Sequence, residues 1–524
     1  MMEKPVEYRY NEINSLPFQD HQRIQRIHEF KRKIKYHSLC PFSNTHDVFT
    51  KRYPFNFPDF LPGVILFRRQ ASPLLSKTGL SGYHMPVVTI SDLSWGGEGI
   101  GRIEGKVVFI PFSLPGEVVE VEIVQSKKNY SQGKLVRILE PSPDRVEPPC
   151  PFYRECGGCQ LQHLAFQRQV QEKERLFKQT LEHALKPQKV LVLPTLQSPA
   201  AFGYRHRLHL KTSWKNKQFC LGFFRPKSHD LVALDGCLLA NDPSNEVLKV
   251  LPEKMRGLQL KKWAPDIELQ VHEMTRRGGI VFISPQGLDP SQKKRITKEL
   301  LPIQGINYLL FKKSDCLPLI GEHPFSIGKE SPEYWLPASE TGLPKDLRLT
   351  CFPLVFTQVN LELNRQLIAR LLSLNLFDSQ DTVLDLYCGL GNFSLPVAMK
   401  AQEVVGIEAF PLAVTNARWN GKSNQISNCT FIQAGVEEGL NQLKKSANPV
   451  SWIILDPPRT GALEVIPMLG DWNTKGILYI SCDPMTLVRD LTQLVKRGWG
   501  VEWSQPVDFF PQTFHLESIT LLTK

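Results

Sequence analysis

Long apolar runs are missing from this chain of 524 residues. No stretch of about 18 apolar residues occurs, so no segment is predicted to cross a bilayer as a helix. The N-terminus has no charged region followed by an apolar one. The expectation is therefore no secretory signal and a cytoplasmic location. Thiols stay reduced there, so the 11 cysteines are expected to be free, catalytic or metal-bound rather than paired as disulfides. Acidic residues are in deficit. Lys plus Arg number 63 against 52 Asp plus Glu, a formal charge of +11 with a pI near 9.0. That balance fits a polyanionic partner, most often a nucleic acid, but a basic surface alone does not require one. The chain is too long for one core, and about three or more domains are expected.

Residues 1–84 lack sustained alternation and any motif. They hold a basic, helical-looking stretch, HQRIQRIHEFKRKIKYH (residues 21–37), and then RYPFNFPDFLPG. A nucleic-acid-binding arm and a poorly ordered extension both fit. A third reading starts translation at Met85, because recognisable domain sequence begins at the next residue.

From Val87 the pattern changes to short β-type runs broken by Gly turns: VVTISDL, GRIEGKVVFIP, GEVVEVEIVQSKKNYSQGKLVRILEP. This predicts a small OB-type barrel over residues 85–142. Lys127, Lys128, Tyr130, Lys134 and Arg137 give its late strands the basic and aromatic groups of a surface that tracks a backbone and stacks bases. EPSPDRVEPPCPF, with five prolines in thirteen residues, reads as a stiff linker. A mixed α+β central domain is expected over 143–345. Residues 346–524 alternate strand and helix patterns, which predicts an α/β domain on a parallel sheet.

Residues 150–159 read CPFYRECGGC, or Cys-x5-Cys-x2-Cys. Three thiolates so close repel unless a metal holds them. Cys237, at the turn in LDGCLLAN, is the best fourth ligand. Zinc sites usually pair two short knuckles, whereas here Cys150, Cys156 and Cys159 cluster and Cys237 is remote. That favours a 4Fe–4S cluster, with structural zinc and free thiols as the alternatives. The Cys-x3-Cys-x2-Cys spacing of radical enzymes is absent, so a structural or RNA-positioning role is expected.

TVLDLYCGLGNFSLPVA, from Thr382, is a buried strand, a Gly-rich turn and a helix start. It lacks the third glycine of the dinucleotide fingerprint, since Ser394 stands there. Asp385 before the turn would repel phosphates and suit a ligand with a positive centre, such as S-adenosylmethionine. The next strand, EVVGIEAF, ends in Glu408, which can accept from both ribose hydroxyls. SWIILDPPRTG sets Asp456 and Arg459 at the end of another strand. The aromatic that follows such a Pro-Pro turn in amine methyltransferases is replaced by Arg459, which argues against an exocyclic amine target. SCDP then carries Cys482, and FFPQTFHLESITLL carries His515 and Glu517.

One thiol and one carboxylate suit methylation at uracil C5. A thiolate adds to C6, C5 becomes enolate-like and takes the methyl group, and a base removes the C5 proton so that the thiol leaves. Cys482 and Glu517 fit these roles if their strand ends meet over the cofactor. An ordinary thiol has a pKa of about 8.5, so local positive charge, with Arg459 as one source, is expected to lower it. His515 reads as an orienting or core residue.

These motifs together resemble the uracil-5 RNA methyltransferases that combine a TRAM domain with an iron–sulfur cluster, most closely those acting on bacterial 23S rRNA. The likeness covers residues 86–524. It implies a class I, Rossmann-like methyltransferase domain joined to a TRAM barrel, using S-adenosylmethionine and a 4Fe–4S cluster and acting on rRNA; a monomer is the separate expectation for its assembly. It implies that Gln358 (in VFTQVN), Tyr387, Asn392, Glu408 and Asp456 contact the cofactor. Cys482 would be the nucleophile and Glu517 the base, with Cys150, Cys156, Cys159 and Cys237 as cluster ligands. Gly435 stands where a cofactor-contacting Asn or Asp is usual. Phe356, beside Gln358, is expected either to stack on an extruded base or to pack in the core. A tRNA uracil-5 methyltransferase, a DNA cytosine-5 enzyme and a non-catalytic RNA-binding or assembly factor are the competing functions.

Overall fold

The computed structural model describes residues 85–524 apart from 259, 261–262, 314–330, 445–448 and 471. The expectations for residues 1–84 lie outside the described residues. The chain divides into a unit of residues 1–79 and a compact unit, Leu80–Lys524. No helix among the described residues is long and apolar enough to cross a membrane.

The first six strands are β1 (Val87–Thr89), β2 (Asp92–Leu93), β3 (Glu98–Ile103), β4 (Lys106–Pro111), β5 (Val118–Ser126) and β6 (Tyr130–Glu140). They form one sheet in the order β1-β5-β6-β4-β3-β2. Alternation puts Val88, Ile90, Val108, Ile110, Val119 and Val121 into its core. A Cβ on Gly101 would lie 2.2 Å from Val88 Cγ1, so only glycine lets β3 cross β1 so closely. The basic face is only partly free. Lys127 lies over the Tyr130 ring, but Lys134 pairs with Glu122 and Arg137 with Glu120.

After β7 (Leu191–Val192), a second sheet uses β8 (Arg207–Lys215), β9 (Gln218–Phe224), β10 (Leu231–Ala233), β11 (Asp266–Val271), β12 (Gly278–Ser284) and β13 (Tyr308–Lys313), in the order β10-β9-β8-β11-β12-β13. The helices Asp242–Gly257 and Pro290–Leu300 bury Leu248, Leu251, Met255 and Ile296 with Leu269 and Phe282 of this sheet in one core. β14 (Glu333–Leu336) and β15 (Leu347–Thr350) form a separate antiparallel pair.

The last strands are β16 (Thr382–Leu386), β17 (Glu403–Glu408), β18 (Cys429–Gln433), β19 (Trp452–Leu455), β20 (Gly476–Ser481), β21 (Gly500–Val507) and β22 (Glu517–Thr523). They join β7 in the order β18-β17-β16-β19-β20-β22-β21-β7. β18 through β20 are parallel, and β22 runs antiparallel between β20 and β21. The chain winds outward from β16 to β18, then returns to β19 on the other side. Ligands of open sheets bind at such a switch, outside the carboxyl ends of the strands. The helix Phe166–Ala184 packs on Pro484–Val495 of this layer. Buried Lys173 donates to Asp508 at 2.7 Å, fixing that helix to the loop between β21 and β22.

Candidate active site

The turn after β16 is built on left-handed backbone: Tyr387 has φ +65, Gly389 +56 and Gly391 +89. Two of these positions are glycine because only glycine adopts that region without strain. Tyr387 tolerates it while its N–H donates to Ile407 O at 2.9 Å. Glu408 braces the turn. Its Oε2 accepts from the Gly389 N–H at 3.2 Å and its Oε1 from the Phe410 N–H at 2.7 Å. Each carboxylate oxygen keeps a further lone pair for a hydroxyl donor. Fully buried Asp385 accepts from the Ser394 hydroxyl through Oδ2, while its Oδ1 has no partner.

Asp456, half-buried just beyond β19, is pushed up to about 8 by burial and then by Asp385 and Glu408. Asp385 is raised to about 7, chiefly by burial. Three carboxyls with no cation among these influences describe a cleft short of positive charge, so a cationic ligand is its natural complement. Gln358 is buried and its Oε1 is unpartnered. Its segment is held from the central sheet: Arg207 Nη1 donates to Val355 O at 2.6 Å, and the His206 ring meets Val359 O at 3.0 Å. Asn392 differs from the others. Its amide is engaged with Asn364 in a reciprocal pair at 2.8 and 3.1 Å. A Cβ on Gly435 would meet nothing within 4 Å.

Cys482 and Glu517 come together as neighbours. β20 and β22 are antiparallel, with Ser481 opposite Ser518 in the register. Cys482 follows the last residue of β20, and Glu517 is the first of β22. The expected lowering of the thiol pKa is not found. Burial raises the Cys482 pKa, Glu517 and Asp456 raise it further, and Arg459 only partly opposes them. Glu517 is itself pushed up to about 8 by burial and then by Asp456, with Arg459 opposing. The unliganded site therefore favours a protonated thiol. His515, in ring contact with Phe514 and Phe510, is held down to about 3 by burial and stays neutral. Arg459 is exposed and makes no hydrogen bond or ion pair among the described residues. Phe356 is 51% exposed, which excludes the core-packing alternative.

One support of the site lies outside the motifs. Asp490 is fully buried and accepts from the Tyr479 hydroxyl at 2.8 Å, the Ala462 N–H at 2.6 Å and Arg489 Nε at 2.8 Å. It thereby anchors the loop that carries Arg459. A signal was present: Asp490 shares the buried stripe of Leu487, Leu491 and Leu494 in Pro484–Val495, and an acid on that stripe needs partners.

The four cysteines of the proposed cluster are all half-buried. Burial pushes Cys156 up to about 11, with smaller contributions from Cys237 and Cys150. Cys159 is raised to about 12, again mainly by burial, with Cys237, Cys156 and Cys150 contributing. The remote Cys237 thus lies near enough to the other three to act on them electrostatically. Among the described residues, no group of three or more His, Cys, Asp or Glu side chains is arranged to hold a metal ion. Gly157 passes so near the β9 end that a Cβ would lie 2.8 Å from Phe224 O, and the Gly158 N–H points at Cys156 Sγ, 3.4 Å away.

Sequence and fold comparisons agree with this geometry. The profile of the tRNA (Uracil-5-)-methyltransferase family matches residues 345–524, and the TRAM domain matches 87–136. The chain is 33% identical over 443 residues to the 23S rRNA (uracil(1939)-C(5))-methyltransferase RlmD of Vibrio cholerae, covering 84% of this chain and 96% of that protein. It is 33% identical to the Legionella pneumophila protein of the same name, covering 87% and 100%. In fold it is similar to the Pyrococcus abyssi tRNA (uracil-54, C5)-methyltransferase solved with S-adenosyl-L-homocysteine, with a TM-score of 0.64, 24% identity, and coverage of 84% of this chain and 100% of that one. With a TRAM barrel, a class I methyltransferase sheet and this extent of identity, the chain belongs to the RNA (uracil-5-)-methyltransferase family, enzymes that methylate uracil C5 with S-adenosylmethionine.

Proposed function

We propose that this protein methylates C5 of a specific uridine in 23S rRNA, with Cys482 as nucleophile and Glu517 as general base. The observation that carries the reading is the register of β20 against β22, which sets the thiol and the carboxyl side by side at the sheet's ligand-binding end. Gln358, Tyr387, Glu408 and Asp456 are the proposed cofactor contacts, with Asn392 acting through its pair with Asn364. Bound S-adenosylmethionine supplies an electrophilic methyl group beside the acids. The Cys482 thiolate adds to uracil C6, which makes C5 nucleophilic towards that methyl. Glu517 then takes the C5 proton, and the C6–sulfur bond breaks to release 5-methyluridine and the thiolate. Extruding the base costs a few kcal/mol. Exposed Phe356 is proposed to stack on it and exposed Arg459 to meet a phosphate.

Cys482→Ala should abolish methyl transfer and the covalent complex with 5-fluorouridine RNA, while S-adenosylmethionine still binds. Glu517→Gln should let a covalent complex accumulate. Mapping 5-methyluridine in rRNA and tRNA from cells with and without the gene tests the substrate. Loss of the mark from tRNA alone would overturn the 23S assignment.

The cysteine group is proposed to hold a 4Fe–4S cluster. The support for this is the closeness of four cysteines that influence one another electrostatically, together with a backbone N–H directed at Cys156 sulfur, a hydrogen bond of the kind that tunes such clusters. Anaerobically purified protein should carry about four irons with matching acid-labile sulfide. Stoichiometric zinc without iron would favour the alternative.

A further inference from the structure

The nine residues between β21 and β22, from Asp508 to Leu516, lead directly into Glu517. The Glu517 carboxyl has no hydrogen-bond partner among the described residues, so its place is set through its backbone. The middle of that loop is Gln512, in the left-handed region at φ +69. Its carbonyl accepts from the N–H groups of both Gln160 and Leu161 at 3.0 Å, immediately after Cys159.

One side chain holds both partners of this junction. Gln169, on the helix Phe166–Ala184, is fully buried. Its Oε1 accepts from the Gln512 N–H at 2.9 Å. Its Nε2 lies 2.9 Å from Gln512 Oε1, 3.0 Å from Leu161 O and 2.8 Å from Leu164 O. A buried amide with every group used fixes the relative positions of all it touches, and leaving one unpaired is costly.

We propose that Gln169 is a positioning residue for the proton-removal step: it locks the Gln512 turn to the cysteine loop and so sets where Glu517 stands. This rests on Glu517 being the base. A shift of about 1 Å in a reacting group can cost on the order of a hundredfold in rate. The step most sensitive to this junction is the last one, because Cys482 sits on β20 and is not part of the loop.

Single-turnover methylation of 23S rRNA by the full chain tests this. Gln169→Leu should slow product release from the covalent complex by about tenfold or more. A protein–RNA adduct should then build up on ordinary uridine RNA, with S-adenosylmethionine affinity unchanged within about twofold. Gln512→Leu removes the side-chain amide, and with it the Oε1 bond to Gln169, but keeps the main-chain bonds, so it should give the same build-up to a smaller degree. A fall in rate without adduct, an unchanged rate, or a chain that cannot fold with either change overturns the proposal in favour of a purely structural glutamine. If Glu517→Gln also fails to accumulate adduct, the assignment of the base has failed. If it accumulates adduct and Gln169→Leu does not, only the positioning role has.

Discussion

A carboxyl taken out of water without a close cation to pair with it holds its proton more tightly, and three carboxyls along this cleft have raised pKa values, that of Glu517 only partly opposed by Arg459. Asp385 is raised to about 7, and Asp456 and Glu517 to about 8. Their unfolded values lie near 4. The sign follows from linkage: their contribution to stability is full below about pH 4 and is lost as pH rises through 7–8. A cation bound in the cleft reverses that penalty, because it favours the ionised acids. S-adenosylmethionine binding at pH 7 should therefore release protons, seen as a calorimetric heat that depends on the buffer's ionisation enthalpy. Identical heats in all buffers would contradict it. The same logic applies to Cys482. Its raised pKa makes the unliganded thiol slow to alkylate at pH 8, and Arg459→Ala should slow it further, since Arg459 is the cation acting on it. Mass-spectrometric mapping of the alkylated residue measures this.

Helices serve the site by what they bury. In Pro484–Val495, Asp490→Ala strands the Tyr479 hydroxyl and the Ala462 N–H and frees the loop bearing Arg459. A loss of about 3 kcal/mol is expected in denaturant unfolding. In Phe166–Ala184, the side chains of Lys173 and Asp508 are only 3% and 0% exposed. Lys173→Met leaves the acid uncompensated and should cost about 3–5 kcal/mol. Breaking the exposed Lys134–Glu122 pair on the barrel should cost under about 1 kcal/mol. The burial stripes of both helices could be read from 3.6-residue periodicity, and so could the presence of polar residues on them. Their partners could not, because Asp508 is more than 300 residues from Lys173.

For the whole molecule, Leu80–Lys524 is a compact unit with its own cores. The strand and turn motifs told much of the architecture in advance: a barrel from Val87, an α/β sheet at the C-terminal end, and glycines where the cofactor turn goes left-handed. These are local properties, fixed by alternation, turn chemistry and backbone sterics within a few residues. The sequence by itself therefore determined which residue types carry the chemistry and which strand ends they occupy. Only the tertiary structure decided that β22 inserts beside β20 and brings Glu517 to Cys482, that Cys237 comes near the distant thiols, and that burial outweighs Arg459 at the nucleophile. Each of those depends on contacts between distant parts of the chain and on the exclusion of water, which no local pattern encodes.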